Sequence, residues 1–202
     1  MEQKNSSLKL IILFLGIAAV GAVLYFVFRS DSSTDTVNVT APTETEAQND
    51  DMTGEEKEAA IKQALLEQPF EEMSAAEKQE QQAEAQALQA GGETVLGGLF
   101  VNGAHATTGG VTLLTENGVQ KLMFDEAFSS EAGPELHVFL SGSESPETSA
   151  ELHAVGDADL GKLNSLSGVQ VYELPADLDF EPRSVVIYCV PFRVVFGFAD
   201  LK

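Results

Sequence analysis

Residues 93–202 are predicted to form an all-β domain, an antiparallel sandwich or partly closed barrel of about eight to ten strands. Three observations lead to it. Short apolar runs are separated by Gly, Pro and Asn punctuation, with no long helical pattern between them. Asn117-Gly118 stands between two apolar runs, a strong two-residue hairpin signal. The stretch Arg183–Ala199, RSVVIYCVPFRVVFGFA, is the densest apolar segment of this half and holds the only cysteine, Cys189.

Taken in order, Thr94–Val101 is a candidate strand ending at Asn102-Gly103. Val111–Leu114 and Val119–Phe124 flank the Asn-Gly hairpin, and Gly133-Pro134 turns into Leu136–Leu140. Val169–Leu174 runs up to Pro175. Val185, Val186, Ile187, Tyr188 and Val190 are β-branched or aromatic and suit a packed pleated surface. Pro191 lacks a ladder donor and should end that strand. Beyond it Phe192, Val194, Phe196 and Phe198 alternate with other residues, and period two would place all four on one face. The reading is two adjacent core strands, with Cys189 at the end of the first. Gly156–Gly161 (GDADLG) has two acids at calcium-loop spacing but lacks the rest of an EF-hand, so it reads as a surface turn.

The first 92 residues are of another kind. Leu10 to Phe28 is nineteen residues without a charge. As a helix it spans roughly 28 Å, close to a bilayer's hydrocarbon thickness. A cleaved signal peptide is the alternative, but its apolar core is usually shorter. Residues 1–29 therefore read as a single-pass anchor. Lys4 and Lys9 before the span, with Asp31 and Asp35 after it, keep the N-terminus cytoplasmic and the remainder extracytoplasmic. Residues 30–52 have the composition of a disordered acidic linker. Thr53 with Glu56, and Ser74 with Glu77, have capping-box spacing and predict two helices over 53–92, the first ended by Pro69 and the second capped near Gly91-Gly92. The second has an apolar face of alanines plus Leu88, so the pair is expected to be a stalk that buries little.

Charge and cysteine count exclude several functions. The formal net charge is −21, divided as +2 over 1–29, −12 over 30–92 and −11 over 93–202. Such a chain repels phosphate backbones, so nucleic acid is not an expected partner, whereas cations and basic partners are. One cysteine allows no intrachain disulfide, no CxxC pair and no CxxCH haem attachment. No phosphate loop, Ser-His-Asp pattern or paired-carboxylate constellation stands out.

Four segments resemble the DM13 (DM-thirteen) domain family, an extracytoplasmic domain labelled for electron transfer. They are GLFVNGAHATTGGVTLL, with Gly98, Phe100 and His105; FDEAFSSEAGPELHVFLSG, with Phe128, Gly133, Pro134 and Leu140; LGKLNSLSGVQVYELP, with Leu160, Gly168, Tyr172 and Pro175; and SVVIYCVPFRVVFGFADL, with Ser184, Cys189, Phe192 and Phe196. The family commonly has tryptophan before the cysteine, where this chain has Tyr188. The resemblance covers about 110 residues and implies a β-sandwich. It also implies a redox role for the cysteine, as a free thiol or as the holder of a prosthetic group such as haem.

Cys189 is thus the candidate catalytic and cofactor-binding residue. Read from the residues alone, a cysteine in an apolar strand is a small core hydrophobe. Reactivity needs a nearby cation, helix N-terminus or metal to depress its pKa. Arg193 could approach if the chain bends at Pro191, whereas Arg183 is roughly 20 Å back along an extended strand. His105 and His137 are candidate cofactor ligands, since a haem or copper site built from Cys189 and one histidine is chemically sensible. No spacing selects between them. His137 shares a strand face with Phe139, opposite Leu136, Val138 and Leu140, which is the pattern of a solvated position. The expected function is a membrane-anchored redox accessory acting with a redox or cell-surface protein partner. The competing expectation is a cell-surface binding or structural module without chemistry.

Overall fold

The computed structural model describes residues 51–202. The segments expected to be an anchor, 1–29, and a linker, 30–52, lie outside the described residues but for residues 51 and 52. Two helices come first, α1 (Gly54–Glu67) and α2 (Ala75–Gly91). Each starts with the capping box its sequence signals. The Thr53 hydroxyl accepts from the Glu56 N–H while the Glu56 carboxylate accepts from the Thr53 N–H, and Ser74 and Glu77 repeat the arrangement. Gly92 closes α2 in an extended conformation, its N–H reaching the Leu88 carbonyl at 2.7 Å.

Eleven strands follow among the described residues, three of them only two residues long. A four-stranded antiparallel sheet runs in the order β1 (Glu93–Leu99), β4 (Gly110–Glu116), β5 (Val119–Phe124), β9 (Gln170–Glu173). A five-stranded sheet runs β2 (Val101–Asn102), β11 (Val194–Asp200), β10 (Ser184–Cys189), β7 (Leu136–Ser141), β8 (Asp157–Lys162). The short pair β3 (Thr107–Thr108) and β6 (Ser129–Ser130) makes a small third ladder. The expected hairpin joins β4 and β5. Asn117 and Gly118 both take positive φ, 52° and 83°, as a two-residue hairpin turn requires.

The two large sheets pack face to face, with Val111, Leu113, Leu122, Phe124 and Tyr172 from one meeting Val138, Leu140, Val185, Ile187 and Phe196 from the other. Along one edge they are stitched together. Gly97 and Lys202 exchange two backbone hydrogen bonds of 3.0 Å, and a Cβ at Gly98 would overlap the Asp200 carbonyl. The domain is therefore an antiparallel sandwich partly closed at that side.

Three features differ from the sequence reading. The helices do not stand clear as a stalk. Ile61 of α1 joins the inter-sheet core with Leu65 and Phe70 packed against it, while Ala85 and Leu88 of α2 lie on Leu114, Met123 and Val171. The reason is the outer face of the four-stranded sheet, which is apolar and must be covered. A face of alanines lets the helix approach closely enough to bury Leu88 completely. The Gln81 side-chain carbonyl also accepts the Val171 N–H of edge strand β9, and Lys121 reaches Glu84 at 2.7 Å. Second, Gly156–Gly161 is mostly strand, not a turn. Asp157 and Asp159 alternate with Ala158 and Leu160, which pack against the core, so the segment pairs as the edge strand β8. Third, Phe192, Val194, Phe196 and Phe198 do not share one face. The register shifts between Ile187, opposite Gly197, and Tyr188, opposite Val195. The extra residue, Phe196, turns into the inter-sheet core, and Phe198 falls in the cluster on the opposite face.

That outer face of the five-stranded sheet carries its own apolar cluster of Phe139, Val186, Tyr188, Val195 and Phe198. Leu152 of the one-turn helix α3 (Ser149–Leu152) packs against it. Among the described residues no helix is long and apolar enough to cross a membrane.

Candidate functional site at the end of strand β10

Strand β10 lies between β11 and β7, and all six of its residues are buried. Side chains alternate across it. Val185, Ile187 and Cys189 point between the sheets, and Val186 and Tyr188 point to the outer face. Pro191 ends the strand as expected. The chain reverses through Val190–Arg193, with the Arg193 N–H 3.3 Å from the Val190 carbonyl and Arg193 at φ 53°.

Cys189 is opposite Leu136 on β7 and Val194 on β11. Its thiol is fully buried and donates to the Pro134 carbonyl at 3.1 Å, while the Phe192 backbone N–H bonds back to it. Burial pushes the thiol pKa up to about 12, against the pull of the Phe192 N–H; the carboxylate of Glu135 adds to the rise and Lys57 of α1 opposes it. At neutral pH and with no metal on it the group is therefore a protonated thiol, a poor nucleophile while the site stays closed.

Pro134 and Phe192 also line an open groove of about 1010 Å³. One wall is the end of α1 and the α1–α2 connection, including Phe70 and Met73. The other side is Pro134, Glu135, Leu136, Leu163, Pro191 and Phe192. The sulfur thus lies one backbone layer beneath a surface recess.

Arg193 does not approach the sulfur. Its guanidinium turns to the outer face, with Nε and Nη2 each 3.4 Å from the Ser149 hydroxyl, which in turn bonds the Tyr188 hydroxyl at 2.7 Å.

His105 is buried in the loop before β3. Its ring stacks on Phe196 with centroids 3.8 Å apart, and its Nδ1 and Nε2 face Glu131 at 3.0 Å and Glu58 at 3.5 Å. Both ring nitrogens are thus turned to carboxylates, one of them on α1. His137 lies opposite Tyr188, on the face of the sheet away from Cys189. The solvated position expected for it is only 15% exposed, because β8 pairs alongside and brings Asp159 to its Nδ1 at 2.8 Å. Its Nε2 is buried without a hydrogen-bond partner. The fold therefore does not bring His137 to Cys189.

A haem or copper ion held by Cys189 needs a thiolate and, for the expected pair, a histidine at bonding range. The sulfur is fully buried and capped by a carbonyl, His105 is engaged by two carboxylates, and the sheet separates off His137. The residues as arranged do not fit a prosthetic group at Cys189. Among the described residues no cluster of three or more His, Cys, Asp or Glu could hold a metal.

Sequence reasoning did not find Pro134, Glu135 and Phe192 as the sulfur's surroundings, nor α1 as the wall of the groove. Gly133-Pro134 and Pro191 were visible only as turns. Nothing local shows that the two turns meet.

No curated protein and no solved structure matches this chain significantly. Residues 99–201, just over half of the chain, match the family described as Electron transfer DM13. The match takes in the whole five-stranded sheet, strands β4, β5 and β9 of the other and the buried cysteine, and leaves out all of β1 but Leu99. On that match the chain belongs to the DM13 electron-transfer family.

Proposed function

We propose that this protein is a membrane-tethered electron-transfer accessory whose residues 93–202 work outside the cytoplasm, with Cys189 as the redox-responsive group. Family membership supports a redox-related role. The observation that carries the assignment to Cys189 is its position beneath the groove, since both backbone groups that bond the sulfur belong to residues lining that recess. The resting thiol is covered and protonated, so reaction requires the Val190–Arg193 turn to lift. The exposed sulfur then ionises and attacks a partner disulfide, forming a mixed disulfide and releasing the partner's other sulfur as thiolate. The nineteen-residue apolar run with its flanking charges supports the tether.

The test is the rate at which an aromatic disulfide such as dithionitrobenzoate modifies Cys189 in the native full-length chain. Modification much faster than global unfolding, and faster still in Pro191→Gly, supports a gated thiol. Modification only at the global unfolding rate overturns it and leaves a binding or structural module, the reading that the raised thiol pKa favours. Protease added to intact cells or spheroplasts tests the tether. It should cleave within 30–52, before the packed helices, and release the domain, and protection until the membrane is breached would reverse the orientation.

A further inference from the structure

The groove over Cys189 has an apolar floor and an acidic rim. Pro134, Leu136, Leu163 and Phe192 form the floor with Phe70 at the side, and Glu67, Glu71, Glu72, Glu77 and Glu135 stand around it against one cation, Lys162. Three of these acids are engaged, Glu67 only by the exposed Gln63 amide at 3.0 Å. Glu72 is held by Lys78 at 2.8 Å and by Ser165, and Glu77 caps α2. Among the described residues no salt bridge engages Glu67, Glu71 or Glu135, and all three are exposed. Glu135 is also fixed in place. It sits at φ 50° between Pro134 and Leu136, its carbonyl accepting the Val190 N–H at 3.3 Å.

The chain's own linker cannot fill this recess, because residues 30–52 carry six acids and no base. The recess is open to solvent and pairs an apolar floor with an acidic rim, which suits a segment that carries both apolar and cationic side chains.

We propose that this groove docks a basic, apolar peptide segment of a partner protein, its cationic side chains set against Glu67, Glu71 and Glu135 and its apolar ones on Leu136 and Phe192. The proposal rests on the reading of this end of β10 as the working end, and names the partner's chemistry. It also supplies a coupling. Glu135 is the carboxylate that helps hold the thiol protonated, so a cation placed on it eases ionisation of Cys189.

The experiment uses the full-length chain and a fluorescein-labelled eight-residue peptide alternating lysine and leucine, read by anisotropy. Glu71→Lys with Glu135→Lys should weaken binding by roughly tenfold or more. A matched double at Glu144 and Glu181, which flank Arg183 away from the groove, changes net charge equally and should leave the affinity within about twofold. Equal loss in both doubles means attraction to net charge alone and overturns the proposal, as does no binding by the wild-type chain. Unchanged melting temperatures show that the variants fold, and Glu71→Gln with Glu135→Gln should weaken binding by an intermediate factor. The same titration on Cys189→Ala separates the two readings. Docking retained there while the thiol proves inert removes only the redox role, and a reactive thiol without docking removes only the peptide site.

Discussion

The Cys189 sulfur donates its proton to the Pro134 carbonyl across 3.1 Å, joining the end of strand β10 to the turn that precedes strand β7. The two residues are 55 apart in sequence, and burial beneath that turn is what keeps the thiol protonated. Leu136, two residues beyond Pro134, pairs directly with Cys189, so the carbonyl is delivered by the ladder itself. A cysteine placed so is a hydrogen-bond donor within the core, and its chemistry is conditional on local opening.

Replacing Cys189 with alanine should lower stability by only about 1–2 kcal/mol, since one buried sulfur is removed and the small remaining cavity lies at a strand end. The donor disappears along with the side chain and leaves the Pro134 carbonyl unpaired, which is included in that figure. Urea unfolding of the full chain measures it. A loss above about 4 kcal/mol would show that the sulfur anchors more than this end of the sheet.

Leu88→Ala should cost about 2–3 kcal/mol, because Leu88 is wholly buried between α2 and the four-stranded sheet. A helix standing free as a stalk would tolerate the change, alanine being the better helix former. Equilibrium unfolding combined with amide exchange over 75–91 checks it, with faster exchange of those amides expected in the variant.

Stability should fall as pH rises above about 9. Below the unfolded thiol's value of 9.0, Cys189 is protonated in both states and its contribution is complete. Above it the unfolded thiol ionises while the folded one resists until about 12, so the contribution is lost across that window, at up to about 1.4 kcal/mol per pH unit. Tyr172, raised by burial, and Lys121, raised by its bond to Glu84, act with the same sign at still higher pH. Urea midpoints should change little between pH 7 and 9 and fall by pH 10.5, and fall less steeply in Cys189→Ala. An unchanged slope in that variant would show that the folded thiol ionises normally.

His105→Leu should loosen α1 selectively. The imidazole faces Glu58 on α1 and Glu131 before β7 while stacking on Phe196, and leucine keeps only the packing. Amides of residues 57–67 should exchange several-fold faster while those of β4 and β5 keep their protection, because the two sheets have their own core. Uniform loss of protection would mean that α1 and the sandwich unfold as one unit.

Local chemistry was legible in the sequence. The capping boxes at Thr53 and Ser74, the Asn117-Gly118 hairpin, the stop at Pro191 and the pairing of the last two strands all follow from interactions within a few residues. The alternation of Asp157 and Asp159 with Ala158 and Leu160 was also present, and a closer reading of period two would have found strand β8. A bulge is different. Nothing in the run from Val194 to Phe198 announces that Phe196 is the extra residue, because the slip is set by how the two strands fit between their neighbours.

The sequence by itself determined that this chain has one thiol and so no intrachain disulfide, a strongly acidic balance and a β domain whose last two strands pair, with the cysteine at the end of the first. Only the tertiary structure decided what surrounds that thiol. Pro134 and Glu135 arrive from another turn, α1 lies close enough for Lys57 to act on the sulfur, and Arg193 and His137 are carried to the far face. The physical reason is that a strand's alternation fixes which side a residue faces, whereas the groups it meets there come from segments that only sheet pairing brings together.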